Sequence, residues 1–300
     1  MANYLWGIDL GGTKIECVVL DAGSLEINER QRIPTLGNEG YEVVLSQIKK
    51  LIDQVSESIG QKPTRIGIGT PGSINPYSHE FRNCNSVYLN GHTFLKDIQS
   101  LLGIPVMTTN DANCFAKSEY KLGVIKNKYP NAKTVFGVIM GTGVGGGLIV
   151  NGEIINGRNG IGGEWGHNFL DESGGACYCG NVGCVEKVIS GPALESYYKR
   201  KSGNHKSLKE IVELYRNHSD PNADETMQRL FFYFSKAISQ IINVVDPDVI
   251  VIGGGVGNID ELYTDGLKHL SQFVFSDYIE TQFAKPMYGD SSGVLGAALL

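Results

Sequence analysis

Long apolar runs are missing from this 300-residue chain, and no stretch approaches the roughly 20 residues of a membrane-spanning helix. A basic excess is missing too. Thirty-two acidic against 26 basic side chains leave a net charge of −6, the opposite of a nucleic-acid-binding surface. The opening Met-Ala-Asn-Tyr-Leu-Trp carries no basic segment followed by an apolar one, so no secretory signal is expected. Cysteine is scarce, at six residues. Three of these, Cys17, Cys84 and Cys114, are scattered among apolar stretches and read as buried free thiols, which fits a reducing cytoplasm. What remains is expected to be a soluble protein with a large core of one or two domains, without a nucleic-acid-binding surface or a membrane span.

The other three cysteines are concentrated. Cys177-Tyr178-Cys179-Gly180-Asn181-Val182-Gly183-Cys184 follows Glu164-Trp165-Gly166-His167 and precedes Glu186. Cys177, Cys179, Cys184 and His167 form the ligand set of a closed structural zinc site, Cys₃His. Gly180 and Gly183 let the chain turn so that three sulfurs reach one ion at about 2.3 Å. The alternative is a cluster of reduced core thiols; a disulfide within Cys-x-Cys is disfavoured because neighbouring Cβ vectors diverge. Glu164 and Glu186 are not needed as ligands and are free for other work.

Glycine is abundant, at 39 residues, and gathers after apolar strands. Tyr4–Ile8 reads as a buried strand, followed by the turn Asp9 to Lys14 and strands at Ile15–Leu20 and Arg30–Ile33. A helix spans Tyr41–Ile59, strands end at Gly69 and Thr109, and a helix follows from Ala112 to Leu122. The order then repeats. Thr134–Met140 is a strand, Gly141 to Gly146 a glycine turn, Gly147–Val150 a returning strand, and Asn151-Gly152 a hairpin signal. A long helix Met227–Val245, a strand Val249–Ile252, Gly253-Gly254-Gly255 and a helix near Ile259–Leu270 follow. The repeat implies a duplicated α/β fold of two lobes with a cleft between: 1–118 with a returning helix at about 289–300, and 119–288 carrying the zinc loop.

Both glycine turns invite misreading. Gly12-Thr13-Lys14 inverts the order a P-loop demands, and Gly141 to Gly146 fits G-x-G-x-x-G but leads into a strand. What survives is a pair of hairpin turns able to hold phosphate oxygens on backbone N–H groups; the bland alternative is two tight hairpins and nothing more. Asp111 closes a strand between Asn110 and Asn113 and suits a general base, or equally the N-cap of the helix that follows. His79, His92, His205 and His218 read as surface residues.

Together, Ile8-Asp9-Leu10-Gly11-Gly12-Thr13-Lys14, Asn110-Asp111-Ala112-Asn113, Gly141-Thr142-Gly143-Val144-Gly145-Gly146-Gly147, Glu164-x-x-His167, Cys-x-Cys-Gly-x-x-Gly-Cys-x-Glu and Gly253-Gly254-Gly255 resemble the ROK sugar kinases over the whole chain. That resemblance implies the actin/hexokinase/Hsp70-like (ribonuclease H-like) fold, ATP with Mg²⁺, a structural Zn²⁺ and a cytoplasmic homodimer. Asp111 would be the base on the sugar's 6-hydroxyl. Gly72, Asn85, Asn110, Glu164, His167 and Glu186 would contact the remaining sugar, with one His167 nitrogen on zinc and the other toward sugar. Gly11, Gly12, Thr13, Lys14, Gly141, Thr142 and Gly143 would meet the ATP phosphates, Gly254 and Gly255 the adenosine, and Asp9 the magnesium. Within the family, Pro71 to Tyr77, Asn83 to Ser86, Leu89-Asn90-Gly91 and Gly289 to Gly293 look most like bacterial fructokinases of the mannofructokinase type. Fructose is the expected substrate, with mannose or glucose also accepted, and N-acetylglucosamine is the alternative. One departure bears on this choice: only nine residues separate His167 from Cys177. A ROK transcriptional regulator would need a DNA-binding region ahead of the first turn, for which the chain shows no room.

Overall fold

The computed structural model describes residues 3–75, 77–82, 84 and 86–300. The first sheet grows from β1 (Tyr4–Leu10), β2 (Lys14–Asp21) and β3 (Ile27–Pro34), an antiparallel meander. β1 and β2 carry mostly buried residues, whereas β3 alternates between exposed and half-buried positions, as an edge strand should. α1 (Tyr41–Ile59) packs on this meander through Val44, Ile48, Leu51, Ile52 and Val55, all buried at helical spacing, and stops at Gly60 in left-handed backbone. β4 (Ile66–Thr70) joins β1 in parallel. A short ribbon, β5 (Ser73–Ile74) and β6 (Phe81–Arg82), and α2 (Phe94–Leu102) precede β7 (Val106–Asn110), which pairs in parallel with β4. The strand order is β3-β2-β1-β4-β7. α3 (Asp111–Lys121) starts where β7 ends, and α4 (Val124–Lys128) follows.

The second sheet repeats the plan with β8 (Thr134–Met140), β9 (Val144–Val150) and β10 (Glu153–Ile154). Asn151 and Gly152 both have positive φ, the turn that Asn-Gly favours between hairpin strands. After α5 (Val185–Ile189), α6 (Gly191–Ser202), α7 (Leu208–Arg216) and α8 (Pro221–Val245) come β11 (Val249–Gly253), the single turn α9 (Gly254–Gly257), β12 (Gln282–Ala284) and α10 (Ser292–Ala298). The order is β10-β9-β8-β11-β12, with β11 parallel to both neighbours.

Two expectations change here. The long helix begins at Pro221 rather than Met227, because Asp220 accepts the Asn222 N–H and proline occupies the first turn. The stretch expected as a helix near 259–270 is a string of 3₁₀ turns, Asp260–Tyr263, Asp265–Leu267 and Leu270–Gln272. Gly266 lies so near Phe234 of α8 that a Cβ there would stand 3.1 Å from that ring.

By compactness the chain divides into two units, one of residues 3–128, 147–162 and 287–300, the other of 129–146 and 163–286. In the first, α10 closes against β1, β4 and α3 by direct backbone approach: a Cβ at Gly7, Gly67 or Gly296 would overlap backbone atoms of Ala298, Ala297 or Cys114. No helix among the described residues is long and apolar enough to cross a membrane.

Candidate functional site

In the first unit, Asp9 is the penultimate residue of β1, just ahead of the first glycine turn. Thr35, fully buried, holds that turn: its N–H donates to the Thr13 carbonyl at 3.0 Å and its hydroxyl to the Gly11 carbonyl at 2.7 Å. Gly11 donates to the Lys14 carbonyl at 3.0 Å, and Gly12, Thr13 and Lys14 lie exposed. The register sets Asp9 opposite Glu16. Glu16 is buried and paired with Arg30 and Arg32, so its charge is largely compensated. Among the described residues no such ion pair reaches Asp9. Burial first, then the charges of Asp111 and Glu16, raise its carboxyl to about 7. A half-buried carboxylate beside an exposed glycine turn suits the orienting of a divalent ion, the chemistry magnesium supplies to phosphate transfer.

Asp111 opens α3, but it does not cap the helix. Asn110 does, accepting the Asn113 N–H at 2.7 Å, while Asp111 accepts its neighbour Ala112 N–H at 2.7 Å. The side chain of Asp111 is exposed. Its base is fixed from behind. Asn113, buried, donates to Thr109 at 3.0 Å and to Asn156 at 3.2 Å, and a Cβ at Gly147 would lie 2.5 Å from the Ala112 carbonyl. Asn156 sits in a loop with no motif around it, so nothing in the sequence singled it out. Gly72 has φ +74° with the Arg82 carbonyl 2.8 Å from where a Cβ would be, so a side chain there is doubly excluded. Asn85 lies outside the described residues.

The second unit gathers the other candidates. Gly141 donates to the Gly143 carbonyl at 2.9 Å across the second turn, and Gly191 donates to the Gly141 carbonyl at 2.9 Å. A Cβ on Gly141 would stand 3.7 Å from the Gly255 nitrogen, and one on Gly254 would meet Met140 backbone. Gly141 to Gly143 and Gly254-Gly255 therefore form one glycine-lined surface. Glu186 belongs to it as well: its carboxylate accepts the Val144 N–H at 3.0 Å and would be 2.6 Å from a Cβ on Gly143. A cavity of about 200 Å³ lies beside the turn, lined in part by Thr142, Glu186, Lys187, Ser190, Ala193 and Arg200.

Glu186 is delivered there by the cysteine loop. His167 ends the 3₁₀ turn Trp165–His167, which is fastened by the Trp165 indole N–H donating to the Gly145 carbonyl at 3.0 Å. Ligand atoms of His167, Cys177, Cys179 and Cys184 all lie within 4.8 Å of one another. Cys179 and Cys184 sulfurs are 3.6 Å apart, and Cys177 sulfur is 3.7 Å from His167 Nδ1. Sulfurs tetrahedral about zinc at 2.3 Å stand about 3.8 Å apart, so the donor set and its spacing fit that ion. All six cysteines are free thiols, including the scattered Cys17, Cys84 and Cys114, which are buried. Two residues after Cys184, within α5, comes Glu186. The other nitrogen of His167, Nε2, meets the Tyr178 hydroxyl at 3.0 Å, a partner the motif reading passed over.

Comparison with known proteins decides the family. The ROK family model matches residues 5–300. The chain belongs to the ROK family. Among ROK relatives, the N-acetyl-D-glucosamine kinase of Yersinia enterocolitica is 37% identical over 305 residues, with 98% of each chain covered. That of Histophilus somni is 35% identical at the same coverage. Among solved structures, the ROK hexokinase of Thermus thermophilus superposes with a TM-score of 0.86 at 29% identity, covering 99% of this chain and 97% of that one. The ROK glucokinase of Streptomyces griseus, solved with glucose and AMPPNP, gives 0.79 at 26% identity, covering 99% and 98%. The expected actin/hexokinase-like α/β fold is the fold of this ROK chain.

Proposed function

We propose that this protein is an ATP-dependent sugar kinase whose preferred acceptor is N-acetyl-D-glucosamine. The observation that carries the preference is the end-to-end likeness to the Yersinia enterocolitica and Histophilus somni N-acetyl-D-glucosamine kinases. Neither they nor the two solved relatives are named for fructose, so the fructokinase expectation gains no support and the alternative stands in its place.

Asp111, exposed at the head of a rigidly backed helix, takes the proton of the 6-hydroxyl as that oxygen attacks the terminal phosphorus of ATP. Such a base is worth roughly 10²–10⁴-fold. Asn85, Asn110, Glu164, His167 and Glu186, with Gly72 backbone, hold the sugar so that attack is in line. Gly11 to Lys14 and Gly141 to Gly143 hold phosphate oxygens, and Gly254 and Gly255 allow the adenosine to approach closely. Magnesium, when bound, neutralises phosphate charge, and Asp9 orients it. Zinc suits His167, Cys177, Cys179 and Cys184 as a structural ion.

ADP release with MgATP, measured over N-acetylglucosamine, fructose, mannose, glucose and N-acetylmannosamine, tests the reading. The highest kcat/KM on N-acetylglucosamine is expected; highest kcat/KM on fructose restores the fructokinase expectation. Asp111→Asn should keep sugar binding and lose turnover by at least 10²-fold, and near-normal turnover in that variant overturns the base.

A further inference from the structure

Asp111 stands where β7 gives way to α3, and the residues two positions to either side of it, Thr109 and Asn113, are both buried. Their side chains close a triangle with Asn156. The Thr109 hydroxyl donates to Asn156 Oδ1 at 3.1 Å; Asn113 Nδ2 donates to the same oxygen at 3.2 Å and to the Thr109 hydroxyl oxygen at 3.0 Å. Asn113 Oδ1 is buried and has no hydrogen-bond partner among the described residues, so this amide is held through its nitrogen. Without the Asn156 oxygen, that nitrogen keeps one of its two acceptors and the Thr109 hydroxyl loses the acceptor it uses here. Asn156 is itself exposed, and the chain brings it in by a separate route. Lys117, buried on α3, donates to the Gly152 carbonyl at 2.8 Å, at the tip of the β9–β10 hairpin. Beyond β10, the Ile155 N–H donates to the Leu148 carbonyl at 2.8 Å, and the Gly162 N–H to the Asn156 carbonyl at 2.8 Å. The hairpin is thus tied to α3 at two points, and the second spends one oxygen on both flanks of Asp111.

We propose that Asn156 is a positioning residue for phosphoryl transfer. By holding Thr109 and Asn113 on a single oxygen it fixes the strand-to-helix turn at both ends, and so sets where the Asp111 carboxylate meets the sugar hydroxyl. It touches neither substrate nor the reacting atoms, and acts through Asp111 alone. This rests on the reading of Asp111 as the base. A misplacement of about 1 Å at such a group costs on the order of 100-fold in rate, so a bond well behind the carboxylate is felt in turnover.

The test is a double-mutant cycle with MgATP and whichever sugar the protein turns over fastest. Asn156→Leu keeps the size of the side chain and removes its oxygen; Asn156→Asp keeps an oxygen that accepts both bonds. Expected for Asn156→Leu are kcat lowered about 10- to 100-fold and a sugar Kd, by calorimetry without ATP, within about threefold. Asn156→Asp should recover most of that kcat. In the Asp111→Asn background, Asn156→Leu should change kcat by less than about twofold, because a residue acting through Asp111 has nothing left to position. A merely structural Asn156 lowers kcat by the same factor in both backgrounds, and that result overturns the proposal. So do a kcat for Asn156→Leu within about twofold of the unaltered protein, a rise in sugar Kd that accounts for the whole loss, and no recovery in Asn156→Asp. If Asn156→Leu does not fold, Asn156→Ala takes its place in the cycle. Near-normal turnover in Asp111→Asn sinks the base reading and the proposal with it; loss in Asp111→Asn but not in Asn156→Leu sinks the proposal alone.

Discussion

Asp9 is a carboxylate whose burial has a consequence that a pH series can read. Its carboxyl titrates near 7 in the folded protein and near 4 in the unfolded chain. The folded state therefore holds a proton that the unfolded state has lost between those values, so the contribution of Asp9 to stability is fullest below about pH 4 and is lost as pH rises through about 7. The residual strain at pH 8 is on the order of 1–4 kcal/mol. Asp9→Asn removes it, and its melting temperature should exceed that of the unaltered protein by a few degrees at pH 8, with the gap closing by pH 5. The same variant should lose turnover with MgATP. A melting curve in which the gap is largest at pH 5 reverses the sign and refutes the assignment. None of this was legible in the sequence. Asp9 could be placed in a turn from its neighbours, but its shift depends on Glu16 across the hairpin and Asp111 at the end of a different strand.

Elements with their own chemistry were the most readable. The spacing of His167 and Cys177 to Cys184 named a candidate ligand set before any coordinates, and the structure brings those four side chains within 4.8 Å of one another, because a closed Cys₃His set requires them close together and glycines to bend the loop. The two glycine hairpins were readable for the same reason, being local. The 259–270 stretch was not: its 3₁₀ turns lie against α8, with Gly266 close to the Phe234 ring, a contact from far along the chain that local sequence does not report. The role of Asn110 was also hidden: local sequence offered Asp111 as an equal cap, and only the hydrogen bonds distinguish them. A metal loop that also leads into Glu186 links two properties that sequence treats as separate. Cys179→Ser should therefore lose zinc and sugar affinity together, with sugar Kd raised at least 10-fold, in line with the cost of disturbing groups that orient a metal-bound ligand. Zinc assay and calorimetry on the same preparation check this; a zinc-free variant binding sugar normally breaks the link.

The whole molecule is built from pieces that sequence order separates. The first unit is closed by its last residues: Glu119, fully buried on α3, accepts N–H groups of Val124 at 3.0 Å, Met287 at 3.0 Å and Tyr288 at 3.2 Å and the Ser292 hydroxyl at 2.8 Å. Removing residues 287–300 leaves that carboxylate with one of its four donors, at a cost of several kcal/mol, and uncovers the glycines of β1 and β4. The second unit takes none of its residues from that segment. Deletion of 287–300 should therefore act unevenly along one chain. Cys17 and Cys114, both fully buried, should become reactive to a thiol reagent, because Cys114 backbone lies directly against Gly296 of α10 and Cys17 sits in β2 of the same sheet. With zinc on the proposed ligand set, Cys177, Cys179 and Cys184 should stay protected until a chelator is added. Mass spectrometry of the labelled cysteines reads both outcomes at once. Labelling of all six together means the units unfold as one, and labelling of none means that Glu119 and α10 are dispensable to the first.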